Sequence, residues 1–98
     1  MNIKPRKDGE KLIVAIEGRI DTVTAPELVN FVQNDLTDVK DLELDLAGVD
    51  YVSSAGLRAF LLAQKIMNKQ GKMVLSHVCE EIMETFELTG FVDVLTVI

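Results

Sequence analysis

The stretch at residues 52–58 joins a strand-like run of the sequence to a helix-like run, and it contains two adjacent serines. Before it, residues 42–46 alternate leucines with acidic side chains, which is the two-residue period of a β-strand. After it, apolar side chains recur near helical spacing at Leu57, Phe60, Leu61, Ile66 and Met67. This strand-to-helix junction predicts an α/β fold in which a serine lies at the start of a helix.

A serine at this position has two roles open to it. Its hydroxyl can cap the helix by accepting a hydrogen bond from a backbone N–H, which contributes about 1 kcal/mol. It can also carry a phosphate, because the free N–H groups and the positive end of the helix dipole stabilise negative charge. We predict that Ser54 is the capping residue, so that one hydroxyl would be suited to both roles.

Length and charge narrow the class of protein. The 98 residues predict one domain spanning 1–98, and the content of 48% hydrophobic and 27% charged residues indicates a globular fold. The net charge of −6, from 10 basic and 16 acidic residues, argues against nucleic acid as a partner, since phosphate binding needs a basic surface. The same balance argues against an anionic membrane surface.

The sequence predicts a cytoplasmic protein without a metal or a cofactor. Cys79 is the only cysteine, so the chain has neither an internal disulfide nor a paired-cysteine metal motif. Residues 1–7 are basic but lack the apolar stretch of a signal peptide, and no run reaches the roughly 18 apolar residues of a membrane helix. No glycine-rich phosphate-binding motif occurs.

Enzymatic activity is not predicted. A serine hydrolase needs a base beside its nucleophile, and the only histidine, His77, falls in a loop after a predicted strand. The serine stretch also lacks the glycine-flanked turn that presents the nucleophile in α/β hydrolases.

The periodicity along the chain predicts the order β-β-α-β-α-β-α-β. We expect a mixed sheet of four or five strands with the helices packed mainly on one face. The first helix should begin with a capping box in which the Thr24 side chain accepts from the Glu27 N–H. The later elements are predicted as a helix over 55–69 that ends at Gly71, a strand over 72–76, a helix over 79–88 and a last strand over 94–98.

The chain resembles the STAS domain family, and in particular the bacterial anti-sigma factor antagonists. The resemblance is carried by Ser53-Ser54-Ala55-Gly56-Leu57-Arg58, by Gly18-Arg19-Ile20-Asp21, by residues 44–52 leading to the serines, and by Leu88-Thr89-Gly90-Phe91. It extends over essentially the whole chain, and the predicted order of elements agrees with it.

The resemblance implies a mechanism based on binding. In such proteins the unphosphorylated antagonist binds an anti-sigma factor serine kinase and so frees a sigma factor. The kinase phosphorylates a serine at the start of the helix, and a serine phosphatase removes the phosphate. The family pattern Asp-Ser-(Ser/Thr)-Gly-Leu-Gly implies that the phosphorylated residue is the one two positions before the glycine, which is Ser54.

This sequence departs from that pattern at three positions. Ser53 replaces the usual Asp, which weakens the case for recognition by the usual kinase, and Ala55 removes the second hydroxyl. Arg58 replaces the last Gly, four residues after Ser54, where it can pair with a phosphate, contact a partner or remain solvated. With Gly56 and Asp21, these residues are expected to surround the phosphorylation site. Asp21 can contact the partner or act only as a local turn acceptor.

A second interpretation stays open beside the first. The chain can be a STAS scaffold or a module of a transport system, in which Ser54 is only a helix cap.

Overall fold

The computed structural model describes residues 1–98 as one mixed sheet and three α-helices. The strands are β1 (Asn2–Asp8), β2 (Lys11–Glu17), β3 (Asp41–Gly48) and β4 (Lys72–Ser76), and the helices are α1 (Ala25–Asn34), α2 (Ser54–Gln70) and α3 (Glu80–Thr89). The order β-β-α-β-α-β-α confirms the predicted fold class. No helix of the chain combines the length and the apolar character needed to span a membrane.

The topology of the sheet brings the ends of neighbouring strands together. The strands lie in the order β1-β2-β3-β4, with β1 antiparallel to β2 and the other two pairs parallel. Each parallel connection runs through a helix, as this geometry requires. The carboxyl ends of β2 and β3 therefore lie at the same edge of the sheet, and the serine stretch follows β3 there.

The helices cover one face of the sheet. Along β2 and β3, buried residues alternate with half-buried ones, so one side of each strand faces the core. The core is aliphatic except for Phe60 of α2 and Phe86 of α3, whose rings meet edge to face with centroids 6.3 Å apart. This aromatic contact joins the last two helices, while α1 packs against α2.

The end of the chain differs from the sequence prediction. A 3-10 helix over Phe91–Asp93 follows α3, and the predicted last strand over 94–98 is reduced to one parallel bridge between Leu75 and Val97. The reason is the turn itself, because the Phe91 carbonyl accepts from the N–H groups of Val94 and Leu95. Only two hydrogen bonds then reach β4: the Leu75 N–H donates to the Thr96 carbonyl, and the Ile98 N–H donates to the Leu75 carbonyl.

The face of the sheet opposite the helices carries a charged network around Glu43. One carboxylate oxygen lies 3.0 Å from Lys11 Nζ, and the other accepts a 2.7 Å hydrogen bond from the hydroxyl of Ser76. The Ser76 hydrogen bond, followed by the one from Lys11, lowers the pKa of Glu43 below its ordinary value of 4.5. The ionised form of Glu43 is therefore favoured in the folded state.

This network predicts a loss of stability in acid. Because the folded pKa of Glu43 is depressed, its contribution is complete above the ordinary pKa of 4.5 and is lost as the pH falls through the folded value. We expect the free energy of unfolding of Glu43→Gln, measured with urea, to fall less between about pH 6 and about pH 3, a range that spans the ordinary pKa, than that of the unmodified protein. Glu84→Gln, at an exposed position of α3, should keep the wild-type acid dependence. Identical acid dependence in the Glu43 variant would contradict this role.

Candidate functional site

The site is formed by two loops that continue the parallel pairing of β2 and β3. The Gly18 N–H donates to the Gly48 carbonyl at 2.9 Å, and beyond it Ile20 and Val52 form an isolated parallel bridge. The Ser53 N–H then donates to the Ile20 carbonyl at 2.8 Å. These bonds hold the loop that contains Asp21 against the start of α2.

Ser53, and not Ser54, caps α2. Ser53 has extended backbone angles, and its Oγ accepts from the Gly56 N–H at 3.4 Å, which is the long end of hydrogen-bond distances. Ser54 is the first residue of the helix, and its side chain is exposed. The prediction that Ser54 is the cap is therefore wrong. The hydroxyl that accepts from a backbone N–H three residues onward belongs to the preceding residue, Ser53. Ser53 therefore caps the helix, and its neighbour Ser54 exposes its hydroxyl.

The two serines are expected to differ in their effect on stability. Ser53→Ala should lower the free energy of unfolding by about 1 kcal/mol, because it removes the cap. Ser54→Ala should change it by less than about 0.5 kcal/mol, as expected at an exposed position without a structural contact. Urea unfolding of both variants measures the difference. A larger loss for Ser54→Ala would show that Ser54 is the cap in solution.

Gly56 fixes the position of the first turn of α2. A Cβ at this buried glycine would lie 2.7 Å from the Ile20 Cγ2 and 2.7 Å from the Val52 Cγ1. The helix therefore rests directly on the bridge between the two loops, which holds Ser54 at the edge of the sheet. Two other residues that were predicted to lie at the site are not part of this contact. Ala55 is half-buried, and Arg58 is exposed on the same helix.

Asp21 organises the loop before α1. Its Oδ1 accepts from the backbone N–H groups of Val23 and Thr24, both at 3.0 Å. The Thr24 N–H is the largest cause that lowers the pKa of Asp21 below its ordinary value, and the Val23 N–H adds to it. The local turn role that was one of two alternatives for Asp21 is therefore present in the fold.

The predicted capping box at the start of α1 is wrong. The Thr24 hydroxyl donates to the Arg19 carbonyl at 2.8 Å and accepts from the Asp21 N–H at 2.9 Å, so it is directed away from α1. The Glu27 N–H donates to the backbone carbonyl of Thr24 instead. The threonine consequently stabilises the loop of the site rather than the helix.

Three further residues around the serines were not among the predicted site residues. The Arg19 guanidinium lies 4.1 Å from the centroid of the Tyr51 ring, and this stacking joins the two loops. Tyr51 is 41% exposed, and Val23 is 85% exposed on the loop that Asp21 holds. A sequence feature that could have identified these residues is the presence of apolar side chains within two polar loops that lie at the same edge of the sheet.

His77 lies at the end of β4 and pairs with an acid. Its Nδ1 is 3.0 Å from the Asp45 Oδ1, while the neighbouring Ser76 hydroxyl donates to Glu43. No cluster of three or more His, Cys, Asp or Glu side chains is arranged to hold a metal ion. The side chains that this site exposes are the Ser54 hydroxyl and, on the two loops, the apolar side chains of Val23 and Tyr51.

The chain is similar in sequence to known proteins over most of their length. The anti-sigma-B factor antagonist of Listeria monocytogenes is 31% identical over 101 residues, which cover 99% of this chain and 86% of that protein. The anti-sigma-B factor antagonist of Bacillus subtilis is 29% identical over 98 residues, covering 99% of this chain and 90% of that protein.

Solved structures share the fold. An anti-sigma factor antagonist from Mycobacterium paratuberculosis superposes with a TM-score of 0.88 at 22% identity, covering 98% of this chain and 83% of that one. The Bacillus cell fate determinant SpoIIAA in its phosphorylated form superposes with a TM-score of 0.75 at 11% identity, covering 99% of this chain and 91% of that one. The family model of the STAS domain matches residues 2–98. With the mixed sheet and the serine at the start of α2, this match shows that the chain belongs to the STAS domain family.

Proposed function

We propose that this protein is an anti-sigma factor antagonist controlled by phosphorylation of Ser54. In its unphosphorylated form it binds an anti-sigma factor kinase in the cytoplasm and thereby releases a sigma factor, without catalysing a reaction itself. The observation that carries the proposal is the exposed Ser54 side chain in the first turn of α2, with the capping bond made by its neighbour. The relatives named anti-sigma-B factor antagonists support the same role.

The physics of the helix end favours a switch that acts on binding rather than on folding. A phosphate on Ser54 would add about −1.5 to −2 charges. The free N–H groups and dipole of α2 would partly stabilise this charge, so the domain would stay folded. A partner surface that fits a neutral hydroxyl would have to desolvate the phosphate, and the complex would dissociate.

The surroundings of Ser54 provide a surface for such a partner. Val23 and Tyr51 are exposed apolar side chains on the two loops that flank the start of α2. The Asp21 turn and the stacking of Arg19 on Tyr51 hold these loops in place before binding. Preorganisation of this kind lowers the entropic cost of association.

Mass spectrometry after incubation with ATP and the candidate anti-sigma factor kinases of the source organism tests the proposal. We expect one phosphate on Ser54, its removal by a serine phosphatase, and no modification of Ser54→Ala. Ser53→Ala is the matched control, because it retains Ser54 and should still be modified. An unmodified Ser54 together with no binding to any of these kinases would refute the proposal.

That outcome would favour the second interpretation, in which the domain is a scaffold or a transport-system module. The structure changes one part of that interpretation, because the capping role belongs to Ser53. Ser54 would then be a surface residue without a structural function.

A further inference from the structure

A groove of about 440 Å³ opens between α1 and α2 beside the serines. Its lining includes Ala25, Pro26 and Val29 on one side and Ala55, Arg58 and Leu62 on the other. Arg58 is the only charged residue in this lining. The groove therefore combines an apolar surface with a single cation.

Arg58 forms no ion pair with a carboxylate in the structure. The ion pairs that lysine and arginine side chains form in the structure join other residues, although acidic residues outnumber basic ones. Its neighbours at three and four positions along the helix are uncharged, so no intrahelical pair is available. These neighbours are Ser54, Ala55, Leu61 and Leu62. The guanidinium is free to bind an anion from another molecule.

We infer that this groove binds a segment of the partner anti-sigma factor that carries an apolar side chain next to a carboxylate. The apolar side chain would pack between α1 and α2, and the carboxylate would pair with Arg58, whose planar donors fit two carboxylate oxygens. The inference rests on the proposed function for the identity of the partner. The groove adjoins Ser54 through Ala55, so a protein that covers the serine also covers the groove.

The same arrangement gives phosphorylation a second route to dissociation. Ser54 and Arg58 are four residues apart on α2, which places both exposed side chains on one side of the helix. A phosphate on Ser54 competes with the carboxylate of the partner for the guanidinium. The switch then removes an attraction in addition to imposing the cost of desolvating the phosphate.

A titration with small molecules tests the chemistry of the groove without the partner. The probes are hexanoate and its neutral counterpart hexanamide, added to ¹⁵N-labelled protein and followed by NMR chemical shifts. We expect hexanoate to shift the signals of Ala55, Arg58 and Leu62 and to bind at least about 3-fold more tightly than hexanamide, as for an exposed charge pair. Equal affinity for the two probes, or shifts confined to other surfaces, would overturn the inference.

Two charge-removing variants on the same helix make the test specific. Arg58→Gln should abolish the preference for hexanoate, whereas Lys65→Gln, which removes an exposed cation outside the groove, should retain it. In the complex with the anti-sigma factor, Arg58→Gln should weaken affinity by about 10-fold, the effect of losing one charge-assisted contact. Unchanged affinity in that complex would show that the partner does not use the groove.

The phosphorylated protein gives a separate readout of the competition. We expect the second pKa of phosphoserine 54, followed by ³¹P NMR, to be lower in the wild-type protein than in Arg58→Gln, because the guanidinium favours the dianion. Equal values would remove Arg58 from the switch. Failure of Ser54 phosphorylation together with no binding to any of the kinases would refute the proposed function, while the probe titration would still decide whether the groove binds carboxylates.

Discussion

Ser54→Asp should bind the anti-sigma factor about 100-fold more weakly than the wild-type protein, an effect in the range measured for an uncompensated interfacial charge. Ser54→Ala should bind as tightly as the wild type and should no longer respond to the kinase. The reason is that Ser54 displays a neutral, exposed side chain at the start of α2. A carboxylate there would have to be desolvated against a partner surface shaped for a hydroxyl.

The control for this experiment is the neutral isostere Ser54→Asn, which should retain most of the affinity. Stability separates a switch from a folding defect, because an acidic residue in the first turn of a helix interacts favourably with its dipole. Ser54→Asp should therefore unfold at the same or a slightly higher urea concentration than the wild type. Wild-type affinity of Ser54→Asp in isothermal titration calorimetry would contradict the proposed role of the serine.

Gly71→Ala should lower the free energy of unfolding by about 3 kcal/mol, the upper part of the range for forced overpacking. A Cβ at this position would lie 1.9 Å from the Lys40 carbonyl oxygen and 2.6 Å from its carbon. That carbonyl accepts from the Lys72 N–H at 3.0 Å, so it cannot move without loss of a bond at the start of β4. The clash involves backbone atoms, which have no alternative rotamer.

Gly90→Ala is the matched control, because it tests conformation without crowding. Gly90 has a φ of 82°, in the left-handed region, and no atom lies within 4 Å of an added Cβ. This variant should lose only about 1 kcal/mol, the cost of a left-handed conformation for a residue with a side chain. Urea unfolding of both variants measures the contrast. A larger loss at Gly90 than at Gly71 would contradict the steric argument.

The two glycines show how far local patterns extend. The end of α2 at Gly71 was predicted from the helix-ending preference of glycine, and the helix does end there. Its backbone is extended, with a φ of 176°, so conformation does not require a glycine at this position. The requirement comes from Lys40, which is distant in sequence, and a local pattern contains no information on that approach.

The errors at Thr24 and at the end of the chain have a different origin. Thr24 has a local sequence typical of a helix cap, but its hydroxyl bonds to Arg19 and Asp21 within the loop. The predicted last strand became a single bridge because the turn at Phe91 leaves few groups to pair with β4. In each case the deciding hydrogen bonds are local in sequence, and they compete with the helix cap or the strand that the pattern favours.

By itself, the sequence determined the order of the elements from β1 to α3 and the presence of a serine at the start of α2. Both follow from side-chain periodicity, which reports which face of each element is buried. Only the tertiary structure decided that Ser53 caps the helix and Ser54 displays its side chain, because the Ile20–Val52 bridge sets where the first helical turn begins. It also created the groove at Arg58, since this groove exists only where α1 packs against α2.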